Sequence, residues 1–296
     1  MNFKEYFEDR QKQIDNALRK TLPPVNTFPE QLHEVIHYSL FAGGKRLRPV
    51  LALASCEAVG GVTEKCLPFA GAVELIHTYS LIHDDLPSMD NDDYRRGRLT
   101  AHKKFGEANA ILAGDALLTE AFYMLSSIGK SEKEKALGCQ IIQELSFAAG
   151  SRGMVGGQAL DLALQGRKEV TPEMLERLHQ HKTGALISVS VRIGALIGEA
   201  EDRQIKALDA YGQKVGLAFQ ITDDILDIEG TQAELGKSVG KDKTAHKITF
   251  PDVIGLDGSK KLQKELVGQA LDALAIFDNQ ADPLRALGRY CIERKK

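Results

Sequence analysis

Apolar residues along this chain recur three and four positions apart instead of alternating, the spacing of amphipathic helices. Leu32, Val35, Ile36, Ser39 and Leu40 form one such stripe, and Val50, Leu53, Ala54 and Val59 form another, with the punctuation GGKRLRP between them. Two helices flanking a loop are predicted there. Thr171-Pro172-Glu173 sets a capping hydroxyl before a proline at the first helical position. The helix it opens is predicted to run through His181, Leu186, Val189 and Ile193 to a stop at Gly198. Ala, Leu, Glu, Lys and Gln dominate and proline is limited to 9 residues, so the expected fold class is all-α. No linker, composition shift or fixed-period repeat divides the chain, and a single all-helical domain over residues 1–296 is expected. The segment from Glu229 to Gly258 lacks the periodicity, is rich in Gly, Lys and Asp, and predicts a mobile connection.

Composition narrows the function classes. Apolar residues at 43% and charged residues at 27% suit a chain with a sizeable core. A formal charge of -3 gives no reason to expect nucleic acid or an anionic membrane as partner. Cys56, Cys66, Cys139 and Cys291 are scattered without metal-type spacing, and the start MNFKEYFEDR is acidic, which reads as a cytoplasmic protein. The most apolar stretch, GALISVSVRIGALIG, is interrupted by Arg192 and is shorter than the ~18 residues of a spanning helix, so no membrane span is expected.

Two aspartate clusters carry the chemistry. Asp84-Asp85-Leu86-Pro87-Ser88-Met89-Asp90 ends one apolar helical run, and Asp223-Asp224-Ile225-Leu226-Asp227 ends another. Residues four apart share a helix face, so Asp223 and Asp227 point the same way, with Asp224 beside them and Gln220 one turn earlier. Asp84 and Asp90 would lie about 120° apart on an ideal helix. Pro87 breaks the helical hydrogen bonding and lets the chain bend so that Asp90 returns. Like charges this close repel unless a cation neutralises them or their pKa values rise. One such cluster reads as a solvated acidic helix end. Two point to a hard divalent cation, and Mg²⁺ typically bridges one or two carboxylates to a substrate phosphate. On repulsion alone, deleting one of these carboxylates is expected to leave the metal-free fold intact.

Basic residues follow where an anion would need them. Lys45, Arg46 and Arg48 lie in GGKRLRP, Arg95 and Arg96 come just after the first cluster, and Lys182, Lys237 and Lys247 lie around the second. Arginine forks and movable lysine charges together suit a substrate with several phosphate oxygens, such as a diphosphate. His77 precedes Asp84 by two helical turns, which makes it either a satisfied core histidine or a group facing the same cavity. Arg10, Lys103, Lys104 and the tail Arg294-Lys295-Lys296 read as ordinary surface charges.

GGKRLRP, ELIHTYSLIHDDLPSMDNDDYRRG, GDALL, GGQALDL, HKTGAL, FQITDDILD and LGK occur in the order and spacing of the trans-prenyltransferases. Over nearly its whole length the chain closely resembles the bacterial farnesyl diphosphate synthases among them. The resemblance implies a helical bundle around a deep central cavity, paired as a homodimer, with the two aspartate motifs facing each other across the mouth. It implies three Mg²⁺ ions, with Mn²⁺ as a substitute, and isopentenyl, dimethylallyl and geranyl diphosphates as substrates. Carried over by residue, Lys45, Arg48, His77 and Arg96 would hold isopentenyl diphosphate, and Arg95, Lys182, Lys237 and Lys247 the allylic diphosphate. Asp84, Asp90 and Asp223 would be the principal metal ligands, with Asp85, Asp224 and Asp227 completing the motifs. Lys182, Thr183 and Gln220 would stabilise the allylic cation. AHKITFP departs slightly from the commoner AGKSTYP-like form but keeps Lys247 and an aromatic before Pro251. The segment rich in Gly and Lys is then a candidate lid.

Product length turns on the residues just upstream of Asp84. Ser80 is small, whereas Tyr79, five before Asp84, is bulky enough to close the floor of a cavity or to serve as ordinary core. An aromatic here, with two extra residues inside DDLPSMD, resembles the farnesyl type and implies a fifteen-carbon product. The rivals are a geranylgeranyl diphosphate synthase, a terpene cyclase of the same fold, a non-catalytic helical subunit, and a helical metal-binding scaffold. GGKRLRP and the second full motif argue against the cyclase, the two intact motifs against the subunit, and the clustered Lys and Arg against the scaffold.

Overall fold

A computed structural model describes residues 1–167, 169–229 and 248–294. The all-α expectation holds. In chain order the helices are α1 Phe3–Thr21, α2 Glu30–Leu40, α3 Leu47–Ala58, α4 Thr63–Asp84, α5 Ala101–Phe105, α6 Glu107–Ser126 and α7 Glu132–Ala149. They continue with α8 Met154–Leu164, α9 Pro172–His179, α10 Ala185–Ile197, α11 Asp202–Glu229, α12 Phe250–Ala273 and α13 Asp282–Glu293. Two helices flank a loop as predicted, but α3 begins at Leu47, so the last three residues of GGKRLRP lie in its first turn and not in the loop. Among the described residues no helix is long and apolar enough to cross a membrane.

The chain forms two compact units, one of residues 4–50 and 67–142 and the other of residues 1–3, 51–66 and 143–296. In the first, Ile14, Leu18, Val35, Leu40, Leu75, Ile76, Leu117 and Leu125 are wholly or almost wholly buried. In the second, Leu175 and Leu178 of α9, Leu217, Ile221 and Ile225 of α11, and Phe250, Leu266 and Val267 of α12 make one apolar cluster. Close helix approach there relies on glycine: a Cβ on Gly216 would sit 2.8 Å from Cα of Gly184.

Three local features depart from the periodicity. The helix opened by Thr171, whose hydroxyl accepts from the Met174 N–H at 3.3 Å, is interrupted by a π-helical turn at Gln180–Gly184 before α10 resumes. Tyr94–Arg95 and Arg98–Leu99 pair as a two-residue antiparallel hairpin. Its turn residues Arg96 and Gly97 both have positive φ, 54° and 76°, as the tight primed turns require. The expected connection from Glu229 to Gly258 is corrected over residues 250–258, which begin α12. Thr249 and Asp252 form a reciprocal capping box there, and Val253, Ile254 and Leu256 pack on the core cluster. The periodicity is masked because Gly255, at φ 75°, breaks the helical backbone inside it. Residues 230–247 of that segment, which include Lys237, Lys247 and most of the candidate lid, lie outside the described residues.

Candidate active site

In the first unit, α4 ends at Asp84 and the chain turns back at once. The Asp90 N–H donates to the Asp84 carbonyl at 2.9 Å, and Asn91, at φ 50°, donates to Leu86 at 3.1 Å. Asp90 is thereby returned to the helix end, with Asp84 half-buried and Asp90 exposed. Asp85 is treated differently: it is 3% exposed and accepts the Arg95 fork, at 2.9 Å from Nε and 2.6 Å from Nη2. That pair ties the hairpin to the end of α4. It also leaves the arginine next in sequence, Arg96, at the hairpin turn, where its guanidinium donates to the Gly43 carbonyl. A Cβ on Gly44, at φ 123°, would overlap that guanidinium, so the second glycine of GGKRLRP is required both for its backbone and for space.

Arg46 is not presented to an anion. It is 3% exposed and donates to Asp15 and Glu74, each at 2.8 Å, and to the Leu40 carbonyl at 2.7 Å. Its charge is spent on anchoring the loop, which carries Lys45 and Arg48 on either side. Arg48 Nη1 lies 3.2 Å from Nε2 of His77. A guanidinium only donates, so Nε2 accepts and the proton of the neutral ring sits on Nδ1. Burial pushes the His77 pKa well down, and the positive charges of Arg48 and Arg96 push it further. Tyr79 is 6% exposed and its hydroxyl is pushed up to about 12 by burial, with the Asp84 charge adding. Ser80 donates to the His77 carbonyl at 2.8 Å.

In the second unit, Lys182 and Thr183 stand on the π-helical turn, a geometry found often at functional sites. Lys182 Nζ lies 2.6 Å from Asp161 Oδ2, and the Thr183 hydroxyl donates to Gln220 Oε1 at 2.9 Å. Gln220 Nε2 donates to Asp224 at 3.2 Å. Asp224 is 3% exposed and also accepts the Phe250 N–H that opens α12, at 3.0 Å. Asp227 is buried as well, at 7%. Asp223 is the more accessible member, with a side chain 37% exposed, and it meets Arg294 at 2.8 Å. This corrects the reading of Arg294 as a surface charge. Its side chain is 4% exposed, stacks 3.9 Å over the Phe219 ring and donates to the Phe219 carbonyl at 2.9 Å.

The first unit thus groups Arg48, His77, Arg95 and Arg96 near the end of α4, where Asp84 and Asp85 lie, and the second links Thr183, Gln220 and Asp224 in one hydrogen-bonded chain, with Lys182 paired to Asp161 next to it. Sequence reasoning missed the pairings of Arg46 with Glu74, of Lys182 with Asp161 and of Arg294 with Asp223. Asp161 lies inside GGQALDL and Arg46 inside GGKRLRP, so the motifs flagged them. Their charged partners are 21 or more residues away, and no local spacing reveals them.

A family model described as polyprenyl synthetase matches residues 29–280. The chain belongs to the polyprenyl synthetase family. It is a prenyltransferase. It is 46% identical over 300 residues to the farnesyl diphosphate synthase of Escherichia coli, covering 100% of each chain. It is 44% identical to the geranylgeranyl diphosphate synthase of Cyanophora paradoxa, covering 99% of this chain and 97% of that one. Among solved structures it matches a geranyltransferase from Helicobacter pylori complexed with magnesium and isoprenyl diphosphate, with a TM-score of 0.87 and 32% identity, over 99% of each chain. Relatives of both product lengths stand at similar identity, so the comparisons establish the reaction class and leave the length to the residues.

Proposed function

We propose that this chain is a farnesyl diphosphate synthase, joining isopentenyl diphosphate to dimethylallyl diphosphate and then to geranyl diphosphate, with release of pyrophosphate. The observation that carries the reading is Tyr79, buried on α4 five residues before Asp84. A product tail running down α4 from the aspartates meets this ring after a short descent, since one helical turn of about 5.4 Å is comparable to one extended isoprene unit.

The donor set fits magnesium. Asp84, Asp90 and Asp223 offer accessible hard oxygens, and Mg²⁺ needs only one or two carboxylates beside phosphate and water. When bound, Mg²⁺ supplies Lewis-acid stabilisation of the diphosphate leaving group. Arg95 and Lys182 bind the allylic diphosphate, and Lys182 offsets the negative charge that grows on it as the C–O bond ionises. The Thr183 and Gln220 oxygens turn their dipoles toward the allylic cation. Lys45, Arg48, His77 and Arg96 hold the isopentenyl diphosphate, whose own C–O bond stays intact while its double bond attacks. The proton then released passes to the departing pyrophosphate, so no side-chain base is required.

We read the chain as a homodimer through α6. Leu112 and Tyr123 are 55% and 66% exposed, and with Ala116 and Thr119 they share one face of that helix, an apolar stripe that suits self-association.

The test is incubation of the purified chain with isopentenyl and dimethylallyl diphosphates and Mg²⁺. Farnesyl diphosphate as the main product supports the reading. Geranylgeranyl diphosphate as the main product replaces it with the twenty-carbon one, and no condensation overturns both.

A further inference from the structure

The motif GDALL is not used by the mechanism above, and its glycine sits against the histidine that precedes the first aspartate pair. Gly114 lies on α6, and a Cβ there would overlap the imidazole of His83. His83 Nε2 lies 3.1 Å from the Ile111 carbonyl, also on α6. The same ring also meets Tyr79, one turn back on the same face of α4, with centroids 5.8 Å apart in an edge-on arrangement. His83 is thus held at a fixed depth between a hydrogen bond, a glycine cradle and the Tyr79 ring.

We infer that His83, seated on Gly114, is a specificity-determining residue that fixes product length by bracing the Tyr79 ring. This deepens the reading of Tyr79 as the cavity floor and rests on it. A side chain alone on one helix turn can change rotamer under the pressure of a growing tail. A ring in edge contact with a second ring, itself hydrogen-bonded to a neighbouring helix, must displace that neighbour to turn toward it. Small contacts of this kind matter for length control because product ratios respond to each 1.4 kcal/mol by about tenfold.

The test compares products, not rates, by chromatography of the chains made by the full-length enzyme from isopentenyl and dimethylallyl diphosphates. His83→Ala leaves a void beside Tyr79 and should raise the twenty-carbon fraction at least tenfold. His83→Phe keeps a ring in the cradle without the hydrogen bond and should retain the parent distribution. Where His83→Ala fails to fold, His83→Gln serves in its place, since it keeps a donor for Ile111 but no ring. Tyr79→Ala is made in parallel. If it lengthens the product while the His83 variants without a ring do not, the brace is overturned and the floor stands. If His83→Phe lengthens the product as much as His83→Ala, the ring contact is not the brace. If Tyr79→Ala itself stops at fifteen carbons, the floor reading fails and the inference falls with it.

Discussion

Arg294 Nη2 lies 2.8 Å from Asp223 Oδ1, so a side chain near the end of the chain occupies the most accessible carboxylate of the second motif. A guanidinium held there competes with a metal ion for the same oxygen. Arg294→Ala should therefore lower the Mg²⁺ concentration for half-maximal activity, by about threefold to tenfold for a contact worth on the order of 1 kcal/mol. Activity titrated with Mg²⁺ checks this. An unchanged or raised requirement would mean that the pair does not compete with the metal.

The same contact separates the two aspartate motifs in a stability experiment. Repulsion alone suggests that losing either accessible carboxylate spares the fold. Asp223→Ala, however, strands a buried guanidinium, whereas Asp90 is exposed at the surface of its turn. Both variants should lose prenyltransferase activity. In EDTA, thermal unfolding should fall for Asp223→Ala, by roughly 1–3 kcal/mol, and stay near the parent value for Asp90→Ala. Equal melting of the two would remove the structural role given to the Arg294 pair.

The basic cluster around His77 gives a pH signature. Burial and the charges of Arg48 and Arg96 hold the folded His77 below its ordinary value of 6.5. Between the depressed value and 6.5 the unfolded chain binds more protons than the folded one, so stability rises with pH through that window. It is fully present above 6.5 and is lost as the pH falls below it. Urea unfolding at pH 7.5 and 5.5 should show a larger loss for the parent than for His77→Gln. The difference should shrink with isopentenyl diphosphate bound, since the anion offsets the surrounding positive charge. A parent and variant that lose stability in parallel would contradict the assignment.

Gly157, from GGQALDL, lets α8 touch the π-helical turn: a Cβ there would overlap the Lys182 backbone. Gly157→Ala should push α8 away, draw Asp161 off the Lys182 ammonium, lower kcat more than ten-fold and cost about 1–3 kcal/mol of stability. Asp161→Asn keeps an acceptor of the same size, so it should lower kcat less and leave melting nearly unchanged. Steady-state kinetics with melting curves check both. A fully active Gly157→Ala enzyme would show that Lys182 does not depend on this approach.

Much of the architecture is legible in the residues themselves. The three-and-four periodicity yields α2 and α3, the Thr171 cap yields α9, and Pro87 with the spacing of Asp84 and Asp90 yields the fold-back at the end of α4. These features depend on neighbours within a few positions, which is the range over which helix geometry writes itself into sequence. The π-helical turn was not legible, because QHKTG carries an ordinary helical pattern and the extra residue is accommodated by packing of Gly184 on Gly216. The start of α12 was hidden by Gly255 for the converse reason, a breaker that kinks the helix while its partly buried neighbours Val253, Ile254 and Leu256 still pack on the core.

By itself, then, the sequence determined the helical class, the two carboxylate motifs, the basic loop between α2 and α3, and the family to which these belong. Tertiary structure decided which member of each charged group is left accessible. Asp85 is taken by Arg95, Asp224 by the Phe250 N–H and Gln220, and Arg46 by Asp15 and Glu74. Asp84, Asp90, Asp223, Lys45 and Arg48 remain less deeply buried than these. Adjacent aspartates and arginines are alike in one dimension. They become different only when burial makes an unpaired charge costly and each buried one must find its partner elsewhere in the chain.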